Sequence, residues 1–91
     1  MSIIVIVELQ VKQDHLNQVH PLFTSLLPQT RNSEGNEGVT VHRDQDNPTS
    51  IILIERWASR EQYETYNCWR AKQGDLETLA RLLQSPPKRR F

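Results

Sequence analysis

The stretch Ile51–Trp57, "IILIERW", constrains the fold more than any other part of the chain. As a strand it alternates between two faces with period two. Ile51, Leu53, Glu55 and Trp57 then share one face, and Ile52, Ile54 and Arg56 the other. Ile3–Val7 is likewise apolar on both faces. An antiparallel sheet with helices on one side carries polar residues on its open side. These strands do not, so both faces need a cover. Helices of the same chain supply one. A second copy of the sheet, packed face to face about a two-fold axis, is the simplest supply of the other; a loop or curled helix of the same chain is the alternative. The pattern predicts a homodimer through the open sheet face, and either strand parity can be the one that meets the partner.

The remaining elements follow from periodicity and punctuation. Ile3–Val11 reads as the first strand, alternating cleanly beyond Val7. Asp14 has the chemistry of an N-cap, and Leu16, Val19, Leu22, Phe23, Leu26 and Leu27 repeat at helical spacing. Pro21 and Pro28 fall inside that pattern, and a proline beyond the first turn costs roughly 3 kcal/mol. The helix is therefore expected to kink or split at Pro21 and to fray near Pro28. Asn32–Gly38 reads as a loop and Val39–Arg43 as a second strand. Asp44–Pro48, "DQDNP", is turn chemistry. Thr49–Trp57 completes an antiparallel hairpin.

Ser59 opens a capping box closed by Gln62. Tyr63, Tyr66 and Arg70 fall near one face of the helix that follows, with Asn67 beside them. Gly74 and Asp75 break and recap the chain. Leu76, Leu79, Leu82 and Leu83 then form an amphipathic last helix, ended by "SPP" and followed by the stub "KRRF" or a very short final strand. The order is β-α-β-β-α(β), an α+β, ferredoxin-like antiparallel sheet with its helices on one face.

Composition bounds the function. Ninety-one residues make a single domain, 1–91, with a small core. Eleven basic and eleven acidic residues cancel, which is no footprint for nucleic acid. "KRR" at Lys88–Arg90 reads as solvated. One cysteine, Cys68, forms no intrachain disulfide, fits a reducing compartment, and reads as a buried or idle thiol. The apolar opening lacks a basic flank and a cleavage site, and Glu8 interrupts it far short of the roughly 20 residues that span a bilayer. The chain reads as soluble and cytoplasmic, with no membrane partner. His15 and His20 show no ligand spacing with an acid or cysteine, so no metal site is expected.

The segment "VHRDQDNPTSIILIERWASREQYETY", Val41–Tyr66, resembles the antibiotic biosynthesis monooxygenase family of dimeric α/β-barrel proteins. Asp44, Pro48, Glu55 and Trp57 match its His-Arg-Asp hairpin, Asp/Asn-Pro turn and Glu-x-Trp strand end, and Gly35 matches a glycine before the second strand. The resemblance implies the dimeric barrel, and it implies metal- and flavin-free oxygenation of phenols, anthrones or quinols in some members. Other members degrade haem or act on small signalling sugars. Where many members carry histidines in the helix after the tryptophan, this chain has Tyr66 and Ala71. Where the haem-degrading branch has a first-strand asparagine, it has Val7, Glu8 and their neighbours. Both departures count against haem, and no cofactor is expected.

Cofactor-free oxygenation needs a dry pocket, a proton acceptor and donors for an oxyanion. The expected catalytic residues are His42 as base, with Tyr66 and Arg70 as polar partners. Trp57, Tyr63, Asn67 and Trp69 are the expected substrate-binding residues, the tryptophans stacking a planar ring. Each has a plainer reading: Trp57 and Tyr63 as core, Asn67 and Arg70 as surface, His42 as a solvated hairpin end. Glu55 reads as structural, paired with Arg56 or with the partner. Two functions remain: a cofactor-independent monooxygenase of an aromatic or quinol-type molecule, and a non-catalytic dimeric module that binds a small hydrophobic molecule or serves as a structural subunit.

Overall fold

A computed structural model describes residues 2–91. The strands are β1 (Ile3–Gln10), β2 (Asn36–Arg43), β3 (Ser50–Trp57) and β4 (Lys88–Arg90), and the helices are α1 (Leu16–Arg31), α2 (Arg60–Lys72) and α3 (Asp75–Ala80). The strands form one antiparallel sheet in the order β2-β3-β1-β4. This is the α+β, ferredoxin-like arrangement expected from the sequence. Among the described residues no helix is long and apolar enough to cross a membrane.

Parity decides the two faces. β1 pairs with β3 so that Val5 opposes Glu55, Val7 opposes Leu53 and Leu9 opposes Ile51. These residues are buried, and they form the core with Val19 and Phe23 of α1, Tyr63 of α2, and Trp57. The alternate residues face away from the helices. Ile4 and Ile54 are 39% and 37% exposed, and Ile6 and Ile52 are half-buried beside them. The parity left open by the sequence is thus resolved: the odd-numbered residues of both strands face the helices.

Three local expectations are corrected. α1 is one continuous helix of 16 residues through Pro21 and Pro28. Each proline strips a partner from the carbonyl four residues earlier, at Asn17 and Thr24. All four residues are exposed, so water can take the freed carbonyls, while buried Val19 and Phe23 hold the opposite face. Asp14 does not cap α1: it lies in a short 3-10 turn, Gln13–His15, and the N-cap position falls to His15 without a side-chain hydrogen bond. The last helix stops at Ala80. Leu82 and Leu83 leave it because their backbone joins the sheet edge. Lys12 N donates to Leu82 O at 2.7 Å, and Leu83 bridges Val11.

Other signals hold. Ser59 Oγ accepts from Gln62 N at 3.2 Å, the N-cap half of the expected capping box. Asp44 Oδ1 accepts from the backbone of Asp46 and Asn47, at 2.8 and 3.0 Å, and fixes the β2–β3 turn. The terminal "KRR" forms β4 against β1. Two further readings are corrected: β2 begins at Asn36, inside the segment Asn32–Gly38 read as a loop, and Cys68 is an exposed free thiol, not a buried one.

Gly35 and Gly74 adopt φ of 88° and 81°. A Cβ at Gly35 would meet the Gln62 side chain, lying 2.8 Å from its Cβ, whereas one at Gly74 would meet open space. Both alanine substitutions strain the backbone, at about 1–2 kcal/mol each, but only Gly35→Ala also displaces the Gln62 side chain in the first turn of α2. Gly35→Ala should lower stability in urea unfolding by more than Gly74→Ala does.

Candidate active site

A cavity of about 70 Å³ lies between the helix-facing side of the sheet and the three helices. Phe23, Leu26 and Leu27 of α1, Leu53 of β3, and Leu76 and Leu79 of α3 give it an apolar lining. Polar groups converge at its edges: Glu55, Tyr63, Tyr66, Asn67, Arg70 and Arg89.

Of the two carboxylates that line this cavity, Asp75 is committed to Arg70 and Glu55 is the buried one. Strand parity turns it inward beside Leu53 and Trp57, and it is 6% exposed. Trp57 Nε1 donates to Glu55 Oε1 at 2.9 Å. Burial pushes the Glu55 pKa above the ordinary carboxylate range, opposed by the Trp57 hydrogen bond and the positive charges of Arg89 and Arg70. Burial likewise raises the Tyr63 hydroxyl, with the Arg89 charge opposing and the Glu55 charge reinforcing the shift. Arg89 Nε donates to Tyr63 Oη at 2.9 Å. Carboxyl, phenol and guanidinium thus form one coupled group at the sheet side of the cavity.

Arg70 has a different task. It is buried, and all five of its N–H donors are committed. Nε donates to Tyr66 Oη at 2.8 Å. Nη1 donates to Gln29 Oε1 at 2.7 Å and to Asp75 Oδ2 at 2.9 Å. Nη2 donates to Leu26 O at 2.6 Å and to Thr30 Oγ1 at 3.0 Å. The guanidinium therefore staples α2 to α1 and α3. The Tyr66 hydroxyl also shares a 2.6 Å hydrogen bond with Thr30 Oγ1, in which either oxygen can be the donor. Arg70 thus keeps no free N–H for a substrate oxyanion, and the Tyr66 hydroxyl is engaged by Arg70 and Thr30.

The expected site residues are thus only partly brought together. Tyr63, Tyr66, Asn67 and Arg70 line the cavity. Trp57 is wholly buried, its ring 5.0 Å from Tyr66 and 5.7 Å from Tyr63, and it supports the cavity wall from behind. Trp69 is 41% exposed and lines an outer groove with Tyr66. His42 opposes Ile52 and lies on the open face, its Nε2 2.9 Å from Thr40 Oγ1, with the sheet between it and the cavity. The reading of Glu55 as a partner of Arg56 is corrected: adjacent strand residues point to opposite faces, and Glu55 is held by Trp57. The Glu-x-Trp spacing puts carboxylate and indole on one face, which was the available signal for that bond. Arg89 gave no local signal, because only β4 pairing brings it to the cavity. Among the described residues no group of three His, Cys, Asp or Glu could hold a metal ion.

The family profile described as "Antibiotic biosynthesis monooxygenase" matches residues 2–68, which span β1 to β3 and most of α2. The chain belongs to the antibiotic biosynthesis monooxygenase family. No curated protein matches its sequence. Solved structures similar to this family member include a conserved protein from Methanosarcina mazei Go1, with a TM-score of 0.90, 20% identity, and coverage of 99% of this chain and 89% of that one. A structure named antibiotic biosynthesis monooxygenase gives 0.87 and 19%, with 99% and 94% coverage. Rv0793 from Mycobacterium tuberculosis gives 0.86 and 18%, with 99% and 91% coverage. At these identities the likeness establishes the fold. Arg70 and Arg89 both lie beyond the family-matched segment.

Removing a buried cation's side chain leaves its partners unpaired, and breaking a buried pair typically costs about 3–5 kcal/mol. Arg70→Ala should lose stability of that order in chemical denaturation. Tyr66→Phe, which leaves the staple's other bonds intact, should lose only about 1–2 kcal/mol.

Proposed function

We propose that this family member is a cofactor-independent monooxygenase of a small phenol or hydroquinone, with Glu55 as its general base. The observation that carries the reading is a buried carboxylate of raised pKa, facing an aromatic-edged apolar cavity beside the Tyr63 hydroxyl. A base is most effective when its pKa approaches the working pH, and burial moves Glu55 in that direction. Glu55 takes a hydroxyl proton from the ring. The resulting aryloxide passes one electron to O₂, and the radical pair joins to form a C–O bond. The peroxide takes up protons and loses water. For hydroquinone the balance is hydroquinone plus O₂ giving hydroxyquinone plus water.

A non-catalytic structural module remains the second reading, favoured by the cavity's size. At about 70 Å³ it is smaller than the roughly 150 Å³ apolar cavity that admits benzene. Oxygen-electrode measurements on metal- and flavin-free protein separate the two. The oxygenase reading expects O₂ uptake with hydroquinone, reduced about 10²–10⁴-fold in Glu55→Gln. Absence of uptake with hydroquinones and phenols alike would favour the module.

Glu55 also sets a pH signature. The groups facing it are Trp57 on its own strand, Tyr63 and Arg70 on α2, and Arg89 on β4, with Asp75 of α3 on the cavity wall. Because its folded pKa lies above its unfolded one, the folded state binds the proton more tightly. Stability therefore falls as pH rises from the unfolded to the folded pKa, and is level below and above that window. Catalytic rate should rise through the folded pKa, as the base form appears. Glu55→Gln should abolish both dependences.

We also propose that two copies pack through the open sheet face. Its apolar side chains, Ile4, Ile6, Ile52 and Ile54, lie on the two central strands. Thr40 and His42 on β2, and Lys88 and Arg90 on β4, place polar groups along both edges. An apolar centre with a polar rim is the anatomy of a protein interface, and a self-complementary patch on a two-fold axis forms a closed dimer. Light scattering at micromolar concentration should give twice the chain mass. Ile54→Asp should dissociate the pair while Arg56→Gln leaves it intact; a wild-type monomer contradicts the assignment.

A further inference from the structure

We propose that Arg89, on the terminal strand β4, holds the oxyanion of the bound ring and thereby restricts the ligand class to rings that form an aryloxide. The assignment builds on the cavity as the site of proposed oxygenation.

Register is the first ground. β4 pairs Arg90 with Ile6, Arg89 with Val7 and Lys88 with Glu8. Val7 faces the helices, so of the three β4 residues Arg89 alone is turned toward them, and its side chain lines the cavity. The competing donors supply the second ground. Arg70 has no free N–H, and the Tyr66 hydroxyl is already held between Arg70 and Thr30. Arg89 instead makes one side-chain hydrogen bond among the described residues, from Nε to Tyr63 Oη. Its two Nη groups remain open, and a planar guanidinium can offer such donors to an oxyanion in a fork. Tyr63 accepts from Arg89, so its own proton also remains available.

Charge bookkeeping supplies the third ground. Proton transfer to Glu55 removes a negative charge from the carboxylate and places one on the ring oxygen. No net charge is created, and a cation beside both groups stabilises the state before and after transfer. Arg89 acts on Glu55 as the larger of its two arginine charges.

The same strand offers a way in. The cavity is too small for a ring as it stands, so part of its wall must yield. The Tyr66 wall is pinned by two short hydrogen bonds. β4 is only three exposed residues long. It is held by its backbone pairing with β1, by the part-buried bond of Arg89 to Tyr63, by an exposed Arg90–Glu8 pair at 3.6 Å, and by Phe91, which meets Tyr63 edge-on at 5.6 Å under the Arg60 guanidinium at 3.9 Å. The exposed Arg90–Glu8 pair is individually weak, and a three-residue strand has few backbone bonds to break. Lifting β4 opens the cavity, and reclosing it brings Arg89 onto the ring oxygen.

The test is binding under argon, which requires no turnover. Titration of the whole chain with 4-nitrophenol, followed by its phenolate absorbance, should show capture of the anion. Nitrobenzene, the same ring without the hydroxyl, should bind more weakly. Arg89→Ala should weaken 4-nitrophenol by about ten- to a hundred-fold and leave nitrobenzene unchanged, and Arg89→Lys should restore part of the loss. Arg89→Gln, which keeps an N–H for Tyr63, supplies the same reading should the alanine variant lose its fold. Equal 4-nitrophenol affinity in folded wild type and variants, or no binding by wild type, overturns the assignment. Arg89-dependent binding without O₂ uptake from hydroquinone leaves it standing and removes only the oxygenase reading. O₂ uptake with KM unchanged in Arg89→Ala removes the assignment alone.

Discussion

The antiparallel pairing of β1 with β3 is the constraint on which the rest of the molecule depends. Its register places Val5 opposite Glu55 and Ile6 opposite Ile54. Side chains alternate with period two, so a slip of one residue would exchange the faces. Arg56 would then enter the core, and Glu55 and Trp57 would leave it. The apolar core, the cavity and the face proposed for the partner are three consequences of one alignment. β4 extends the same alignment, since its pairing with β1 decides that Arg89 looks inward while Lys88 and Arg90 look outward.

The helices add a second, polar layer of specification. An apolar interface between α1, α2 and α3 would tolerate sliding, whereas the Arg70 guanidinium admits one arrangement of Leu26, Gln29, Thr30, Tyr66 and Asp75 around it. A buried cation is expensive unless each donor is met, and here each is. The price of that order is functional: a fully satisfied arginine cannot also bind substrate. The division of labour is therefore physical, with Arg70 fixing the cavity wall and the less constrained Arg89 and Tyr63 left with donors to offer beside Glu55.

Much of this was legible in the sequence. Period-two alternation in Ile51–Trp57, the Asp44–Pro48 turn, the Ser59–Gln62 capping box and the order of elements report interactions between near neighbours, and they led to the correct fold; the family came from the resemblance of Val41–Tyr66. The errors also share a cause. Pro21 argued for a broken helix because local propensity does not reveal that Asn17, Pro21, Thr24 and Pro28 all face water. Leu82 and Leu83 continued a helical spacing, but backbone bonds to Lys12 and Val11, far away in the chain, claimed them for the sheet edge.

The candidate site divides along the same line. By itself the sequence determined which residues alternate, which helix carries Tyr63, Tyr66, Asn67 and Arg70, and that Glu55 and Trp57 share a face, because each of these is set by backbone geometry over a few residues. Only the tertiary structure decided that His42 lies across the sheet from the cavity, that Arg70 spends every donor on its neighbours, and that Arg89 reaches Tyr63. Those outcomes depend on pairing register and on burial among segments 26 to 44 positions apart, and no local pattern encodes which donor will meet which acceptor across such a distance.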